Sequence, residues 1–212
     1  MGVRIVAVKT YSGKDISVQF DMKRCIHARN CFLKLPQVFD PAQRPWVQPD
    51  NAPAEEIAAM VRTCPSGALR FIKADETSEE PPRINRIAVL ENGPLALAGA
   101  IEDEPSPRAT LCRCGKSQNK PYCDYSHVDA NFEATGEPKP TTTDETEDQG
   151  GDVSFASIPD GPLKVSGNIE LTSGTGVKIA KLDKAFLCRC GASKNKPFCD
   201  GSHKAAGFRD PE

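Results

Sequence analysis

Two stretches of this 212-residue chain carry the same four metal-seeking side chains at the same spacing. Cys112, Cys114, Cys123 and His127 run as Cys-x-Cys, eight residues, Cys, three residues, His; Cys188, Cys190, Cys199 and His203 repeat the run. Thiolate and imidazole are soft or borderline ligands. Four of them within sixteen residues can close a tetrahedron around one metal ion or fill the four terminal positions of a two-iron cluster. Spacing alone leaves both open. Cys25, Cys31 and Cys64 form a separate trio, so the nine cysteines partition most simply into three sites.

An odd cysteine count argues against a disulfide framework. Met1 to Thr10 shows neither the apolar core nor the cleavage site of a secretory leader, and nothing approaches the ~20 apolar residues of a membrane span. Val6 stands where N-myristoylation needs Ser or Thr. The protein is therefore expected to be cytoplasmic, where clustered cysteines read as metal or redox sites. With 27 Lys and Arg against 29 Asp and Glu, the net charge of -2 provides no global field for nucleic acid or acidic lipid. There is no Gly-x-Gly-x2-Gly or Walker loop, and Ser126 belongs to the metal run, so an enzyme is not expected and no catalytic residue is assigned.

The repeat is longer than its ligands. Leu111-Cys-Arg-Cys-Gly-Lys-Ser-Gln-Asn-Lys-Pro-Tyr-Cys-Asp-Tyr-Ser-His127 recurs as Leu187-Cys-Arg-Cys-Gly-Ala-Ser-Lys-Asn-Lys-Pro-Phe-Cys-Asp-Gly-Ser-His203. The pattern Cys-x-Cys-x2-Ser-x3-Pro-x-Cys-Asp-Gly-Ser-His resembles the CDGSH, or NEET, family of 2Fe-2S proteins. The second copy matches at Cys188, Cys190, Ser193, Pro197, Cys199, Asp200, Gly201, Ser202 and His203. The resemblance covers roughly the last 120 residues. It implies two 2Fe-2S clusters, one on Cys112, Cys114, Cys123 and His127 and one on Cys188, Cys190, Cys199 and His203. The first copy departs at Tyr125, where the pattern has glycine, so its backbone there need not take a glycine-only conformation. A zinc knuckle is the alternative, although zinc loops more often open with Cys-x2-Cys.

Replacing one thiolate by neutral imidazole removes a negative charge and raises the reduction potential. The second ring nitrogen can couple reduction to protonation, and acid competes with iron for the first. Asp124 and Asp200 are expected to accept from backbone amides at the start of the short helix carrying each histidine. Lys116, Lys120, Lys194 and Lys196 read either as a solvated face or as charges that ease the arrival of an electron or an acidic partner.

Cys25-Ile-His-Ala-Arg-Asn-Cys31 followed by Cys64-Pro65-Ser-Gly-Ala68 resembles single-cluster ferredoxins, and more closely the divergent domain fused to CDGSH proteins. Ala28 stands where the bacterial Cys-x2-Cys-x2-Cys pattern has its middle cysteine. The remaining Cys25, Cys31 and Cys64 suit a 3Fe-4S cluster, or a 4Fe-4S cluster whose fourth iron takes water or His27. The alternative is a degraded domain with three buried thiols.

Elements must position these groups. Arg4 to Val8, Ile16 to Phe20 and Leu69 to Lys73 alternate as strands, Cys31 to Phe39 suggests a helical turn, and Pro53 to Thr63 a helix with Ile57, Met60 and Val61 on one face. Trp46 is expected in the core. Before each metal loop a block recurs: Gly93-Pro94-Leu95, Gly99 and Ile101-Glu102 answer Gly161-Pro162-Leu163, Gly167 and Ile169-Glu170. Ser173 to Gly176 reads as a hairpin turn between Gly167 to Thr172 and Val177 to Leu182.

The expected fold is therefore α+β. Residues 1-73 form a small divergent ferredoxin-like domain and 74-82 a linker. Residues 83-134 form the first CDGSH-type module, 135-152 an acidic linker, and 153-212 the second module. The resemblance implies that the two modules pair within one monomer as a pseudo-dimeric β-cap bearing two cluster loops. One-electron transfer to a redox partner protein is the leading function. Donation of a cluster to an apo-acceptor, redox or pH sensing, and a zinc interaction module are the alternatives.

Overall fold

The computed structural model describes residues 8–140 and 150–210, and the chain divides into two units, residues 1–80 and 81–212.

In the first unit Lys9–Ser12 (β1), Ile16–Phe20 (β2) and Leu69–Lys73 (β3) form an antiparallel sheet in the order β1-β2-β3. Pairing begins at Lys9; residues 4–7 of the strand expected over Arg4 to Val8 lie outside the described residues. Asn30–Lys34 (α1) is shorter than the turn expected to reach Phe39. Leu35 leaves helical dihedrals because Pro36 follows it and clashes with an α conformation there. Ala54–Arg62 (α2) begins after Pro53, carries Glu55 and Glu56 against its positive end and buries Ile57, Ala58, Met60 and Val61. These pack with Val18, Val38, Phe39 and Phe71 into one core. Trp46 packs at that core's margin, its ring 5.0 Å from Phe20 and 5.9 Å from Phe39. The linker starting at residue 74 first turns back on β3, with the Lys73 amide donating to Thr77.

The second unit contains Asn85–Val89 (β4), Leu95–Ala98 (β5), Ala100–Ile101 (β6), Arg108–Leu111 (β7), Ser126–Asp129 (α3), Asp152–Ser157 (β8), Leu163–Ser173 (β9), Lys178–Leu187 (β10) and Ser202–Ala205 (α4). Its strands make one seven-stranded sheet among the described residues. The hairpin about Ser173 to Gly176 is present, but its strands run on to Leu163 and Leu187. One edge of β9 pairs with β10 throughout. The other pairs with β8 over Leu163–Ser166 and with β4 over Ile169–Ser173. Gly167 lies at the changeover, at φ +123°, where a Cβ would stand 2.5 Å from the Asp152 carbonyl oxygen. Only glycine fits there.

The pairing between repeats is reciprocal. Asn85 of β4 is registered with Ile169 of β9 in a parallel pair, and Val153 of β8 with Ile101 of β6 in another. The first strand of each repeat thus pairs with the segment following the shared glycine of the other. The Asn85 side chain, 1% exposed, donates to the carbonyls of Gly151 and Asn168 and accepts from the Ala100 amide. Ile87, Leu95, Leu111, Leu163, Ile169 and Leu187 fill the interior. Each contributes about 2 kcal/mol by leaving water.

The expected linker over 135–152 is folded at both ends. The Gly136 amide donates to the Glu91 carboxylate, its carbonyl accepts from Gly174, and Asp152 opens β8. Residues 141–149 lie outside the described residues.

Candidate metal centres

Each metal loop hangs from the last strand of its repeat. Beyond β7, Leu111 bridges Tyr122, the Cys112 amide donates to Pro121 and the Cys123 amide to Thr110. Beyond β10, Leu187 bridges Phe198 while Cys188 donates to Pro197 and Cys199 to Phe186. Ser117 and Ser193 brace the loops by donating to the Tyr122 and Phe198 carbonyls. Lys120 Nζ lies 2.7 Å from the Ser117 carbonyl and Lys196 Nζ 2.5 Å from that of Ser193. Two of the four loop lysines therefore tie the loop itself, whereas Lys116 and Lys194 are exposed.

The four metal-seeking side chains of each loop fall into two close pairs. Cys112 Sγ is 3.7 Å from Cys114 Sγ, and Cys123 Sγ is 3.3 Å from His127 Nδ1. In the second loop the separations are 3.8 Å for Cys188–Cys190 and 3.4 Å for Cys199–His203 Nδ1. Among the described residues, no three His, Cys, Asp or Glu side chains converge around a single metal position. All nine cysteines are free.

Backbone amides point at the sulfurs. Lys116 and Tyr125 donate to Cys114 and Cys123 at 3.4 and 3.5 Å, and Ala192 and Gly201 to Cys190 and Cys199 at 3.4 Å each. Such donors stabilise thiolate charge. A hydrogen bond from Cys114 holds Cys112 down to about 6 and pushes Cys114 up, so that pair shares one proton. Burial pushes Cys123 up to about 12 and also raises Cys190. Metal uptake at these sulfurs must release protons.

Asp124 Oδ1 accepts the Ser126 amide and hydroxyl, and Oδ2 accepts the Gln118 amide. Asp200 accepts the Ser202 and Lys194 amides in the same way. Each carboxylate therefore receives the amide expected two residues on and also clasps the far side of its loop. Burial alone would raise Asp124, but these bonds outweigh it and leave its carboxyl below the usual range.

The middle residue of each Cys-Arg-Cys has a part that sequence reasoning missed. Arg113 and Arg189 are 1% exposed. Arg113 donates to the carbonyls of Gly93, Leu90, Ala134 and Thr135, and its guanidinium lies 5.4 Å from the Phe132 ring. Arg189 donates to Gly161, Ile158 and Ser157, pairs with Asp210, and lies 5.2 Å from Phe208. Each arginine thus fastens its metal loop to the Gly-Pro turn of the preceding block and to the chain beyond its histidine. Burial lowers Arg113 to about 10, which leaves it charged; Cys188 in the other loop and Cys114 in its own oppose that shift. The identical x residue in both Cys-x-Cys pairs was the available signal.

Tyr125 corrects one expectation. It adopts φ +79°, the same left-handed conformation as Gly201 at +84°. The conformation costs a non-glycine residue about 1–2 kcal/mol, and the amide-to-Cys123 bond accompanies it. The Tyr125 ring packs edge-on against His127 at 5.3 Å, and His127 is only 9% exposed. Burial lowers the pKa of His127.

In the first unit Cys25, Cys31 and Cys64 line one pocket together with Phe20, Ile26, Ala28, Trp46 and Leu69. Burial raises both Cys25 and Cys31. The structure brings this trio together around a mostly apolar space, and buried Ser66 places Oγ 3.6 Å from Cys64 Sγ. His27 is exposed, at φ +51°, and is not among the lining residues.

Residues 11–74 match the family described as a divergent 4Fe-4S mono-cluster, and residues 92–128 and 160–204 each match the iron-binding zinc finger, CDGSH type. Over 63 residues, 30% of this chain, it is 33% identical to the protein named uncharacterized protein YjdI of Escherichia coli K12, and equally to that of Escherichia coli O157:H7; the match spans 83% of each. No solved structure matches the chain.

Proposed function

Because the chain belongs to the CDGSH-type iron-binding family and carries a divergent 4Fe-4S mono-cluster domain, we propose that it is a one-electron carrier with one cluster in each repeat and a third in the N-terminal domain. The carrying observation is the division of each repeat's ligands into two pairs. Metal–ligand bonds of about 2.3 Å to sulfur and about 2.1 Å to nitrogen, meeting at a tetrahedral angle, put two sulfurs about 3.8 Å apart and sulfur and nitrogen about 3.6 Å apart. Cys112–Cys114 and Cys188–Cys190, at 3.7 and 3.8 Å, fit that edge, and the Cys–His pairs fall slightly inside it.

Two pairs suit two irons. A mononuclear zinc site would need all four donors mutually at this distance, so the pairing favours 2Fe-2S over zinc. Cys112, Cys114, Cys123 and His127 would hold one such cluster; Cys188, Cys190, Cys199 and His203 would hold the other. Cys25, Cys31 and Cys64 would hold a 3Fe-4S or 4Fe-4S cluster in their cavity. A bound cluster supplies a site that accepts and returns one electron.

The residues around each site do the tuning. Amides on the sulfurs and the buried guanidiniums lower the cost of added negative charge, and an imidazole in place of a fourth thiolate acts in the same direction. Arg113 and Arg189 keep their charge where water is excluded, so their effect is screened less than that of surface lysines. The reciprocal parallel pairing supports an internal pseudo-twofold cap in a monomer. Exchange with a redox partner protein in the cytoplasm, without enzymatic turnover, completes the reading; among the described residues no helix is long and apolar enough to cross a membrane.

The test is anaerobic purification with iron, sulfide and zinc analysis, then EPR during a redox titration. Two irons per repeat plus three or four from the N-terminal site, reduced and reoxidised without loss of colour, is the expected result. Stoichiometric zinc without sulfide would overturn it, and transfer of intact clusters to an apo-acceptor without reversible reduction would favour donation.

A further inference from the structure

We propose that the two repeat sites are unequal, the second being the site that exchanges its metal with outside ligands while the first retains it. This rests on the cluster reading above. The observation is a consistent difference in cover at three equivalent positions. Cys114, Cys123 and His127 are all buried, whereas Cys190, Cys199 and His203 are all partly exposed.

Tyr125 supplies part of the difference. Its ring leans on His127, and the equivalent position in the second repeat is Gly201, which has no side chain. His203 lines an open surface hollow with Asp160, Lys204, Phe208 and Arg209. Its Nδ1 faces Cys199, so its other ring nitrogen is the one left to meet that space. Lys204 and the 80%-exposed Arg209 favour an anionic newcomer, with Asp160 engaged by Arg209 at 2.9 Å.

The exchange is ligand substitution. With iron bound, His203 Nδ1 would be the ligand displaced: an incoming anionic ligand, a thiolate or a chelating carboxylate, would donate its lone pair in place of the imidazole, which would keep its own electron pair on leaving, with no change in oxidation state. At the first site the same approach requires Tyr125 to move away, an added local opening step.

The loaded full-length protein is challenged anaerobically with excess EDTA at fixed neutral pH, and visible absorbance and circular dichroism are followed. Wild type should lose its repeat clusters in two phases of similar amplitude with rates about tenfold apart, equivalent to about 1.4 kcal/mol. Tyr125→Gly should bring the slow phase towards the fast one. Gly201→Tyr should slow the fast phase; a Cβ at Gly201 meets nothing within 4 Å, and Tyr125 shows that tyrosine accepts this conformation. On the loaded wild type, carbethoxylation read by peptide mass spectrometry should modify His203 ahead of His127.

A single phase from a protein with both repeats fully loaded, a Tyr125→Gly protein with unchanged kinetics, or faster modification of His127 would overturn this inference alone. Absence of sulfide-bridged iron from the repeats would instead overturn the reading on which it rests.

Discussion

Gly191 of the second metal loop lies against the Cys114 carbonyl oxygen of the first, so closely that a Cβ on Gly191 would stand 2.6 Å from it. The contact is returned: a Cβ on Gly115 would stand 2.7 Å from the carbonyl oxygen of Cys190. Both glycines have positive φ, +80° at Gly115 and +82° at Gly191. The loops therefore meet backbone to backbone, and each glycine follows the second cysteine of its Cys-x-Cys. Gly191→Ala adds left-handed strain and overpacks a rigid carbonyl, at a combined cost of about 3 kcal/mol. Denaturant melts should show that loss, and colour should be lost from both repeats rather than from the second alone. Unchanged stability would mean that the loops are not in contact in solution.

Arg113 should matter more than an exposed arginine. Arg113→Met keeps most of the volume but strips the carbonyls of Gly93, Leu90, Ala134 and Thr135 of a shared charged donor. Leaving such acceptors unsatisfied is expected to cost about 3 kcal/mol. Removal of the buried positive charge should also lower the potential of the repeat clusters. A redox titration separates this effect from simple destabilisation, because Arg86→Met should leave the potential unchanged: Arg86 spans β4 and β9 to reach Glu170 and is half exposed.

Much of this arrangement was legible in the residues. The strands Ile16 to Phe20 and Leu69 to Lys73 and the buried face of α2 followed from periodicity, because each must bury one side of a regular element. The three groups of cysteines followed from spacing. The recurrent Gly99 and Gly167 marked a repeated backbone, but their reason lay in tertiary contacts: a Cβ at Gly99 would collide with the Asn85 side chain, one at Gly167 with the Asp152 carbonyl. Reciprocal parallel pairing joins segments far apart in the chain and has no local signature. The left-handed Tyr125 departs from its local preference for a related reason, since the surrounding loop imposes a conformation that the residue alone disfavours.

Acid should release the repeat clusters. Iron binds neutral imidazole, so a falling pH adds a proton competitor for Nδ1. Burial depresses the His127 pKa below its ordinary 6.5, so the folded protein takes this proton later than the unfolded chain does. The stability that neutral His127 contributes is present above the unfolded value and is lost as pH falls from about 6.5 through the folded value. Cluster loss should therefore be slow at about pH 8 and accelerate towards about pH 5.5. His127→Cys should flatten the dependence at the first site and lower its potential by restoring a fourth thiolate. Equal rates at the two pH values in wild type would count against imidazole ligation.

Ala28 shares the N-terminal cavity with Cys25, Cys31 and Cys64 and stands midway between the first two in sequence. Ala28→Cys would restore the Cys-x2-Cys-x2-Cys spacing and aim a fourth thiolate at the same space. Ala28 is exposed, so the folding cost should stay within about 0.5 kcal/mol. The variant is expected to hold a fully cysteine-ligated 4Fe-4S cluster with a lower potential and greater resistance to oxidative iron loss than wild type. Iron analysis and EPR of the oxidised and reduced forms report the change directly. Cys64→Ser provides the opposite arm: it should remove the N-terminal signal while leaving both repeat clusters in place. If Ala28→Cys left the spectra, iron content and oxidative lability of the first unit unchanged, the cavity would not be a cluster site open on the Ala28 side.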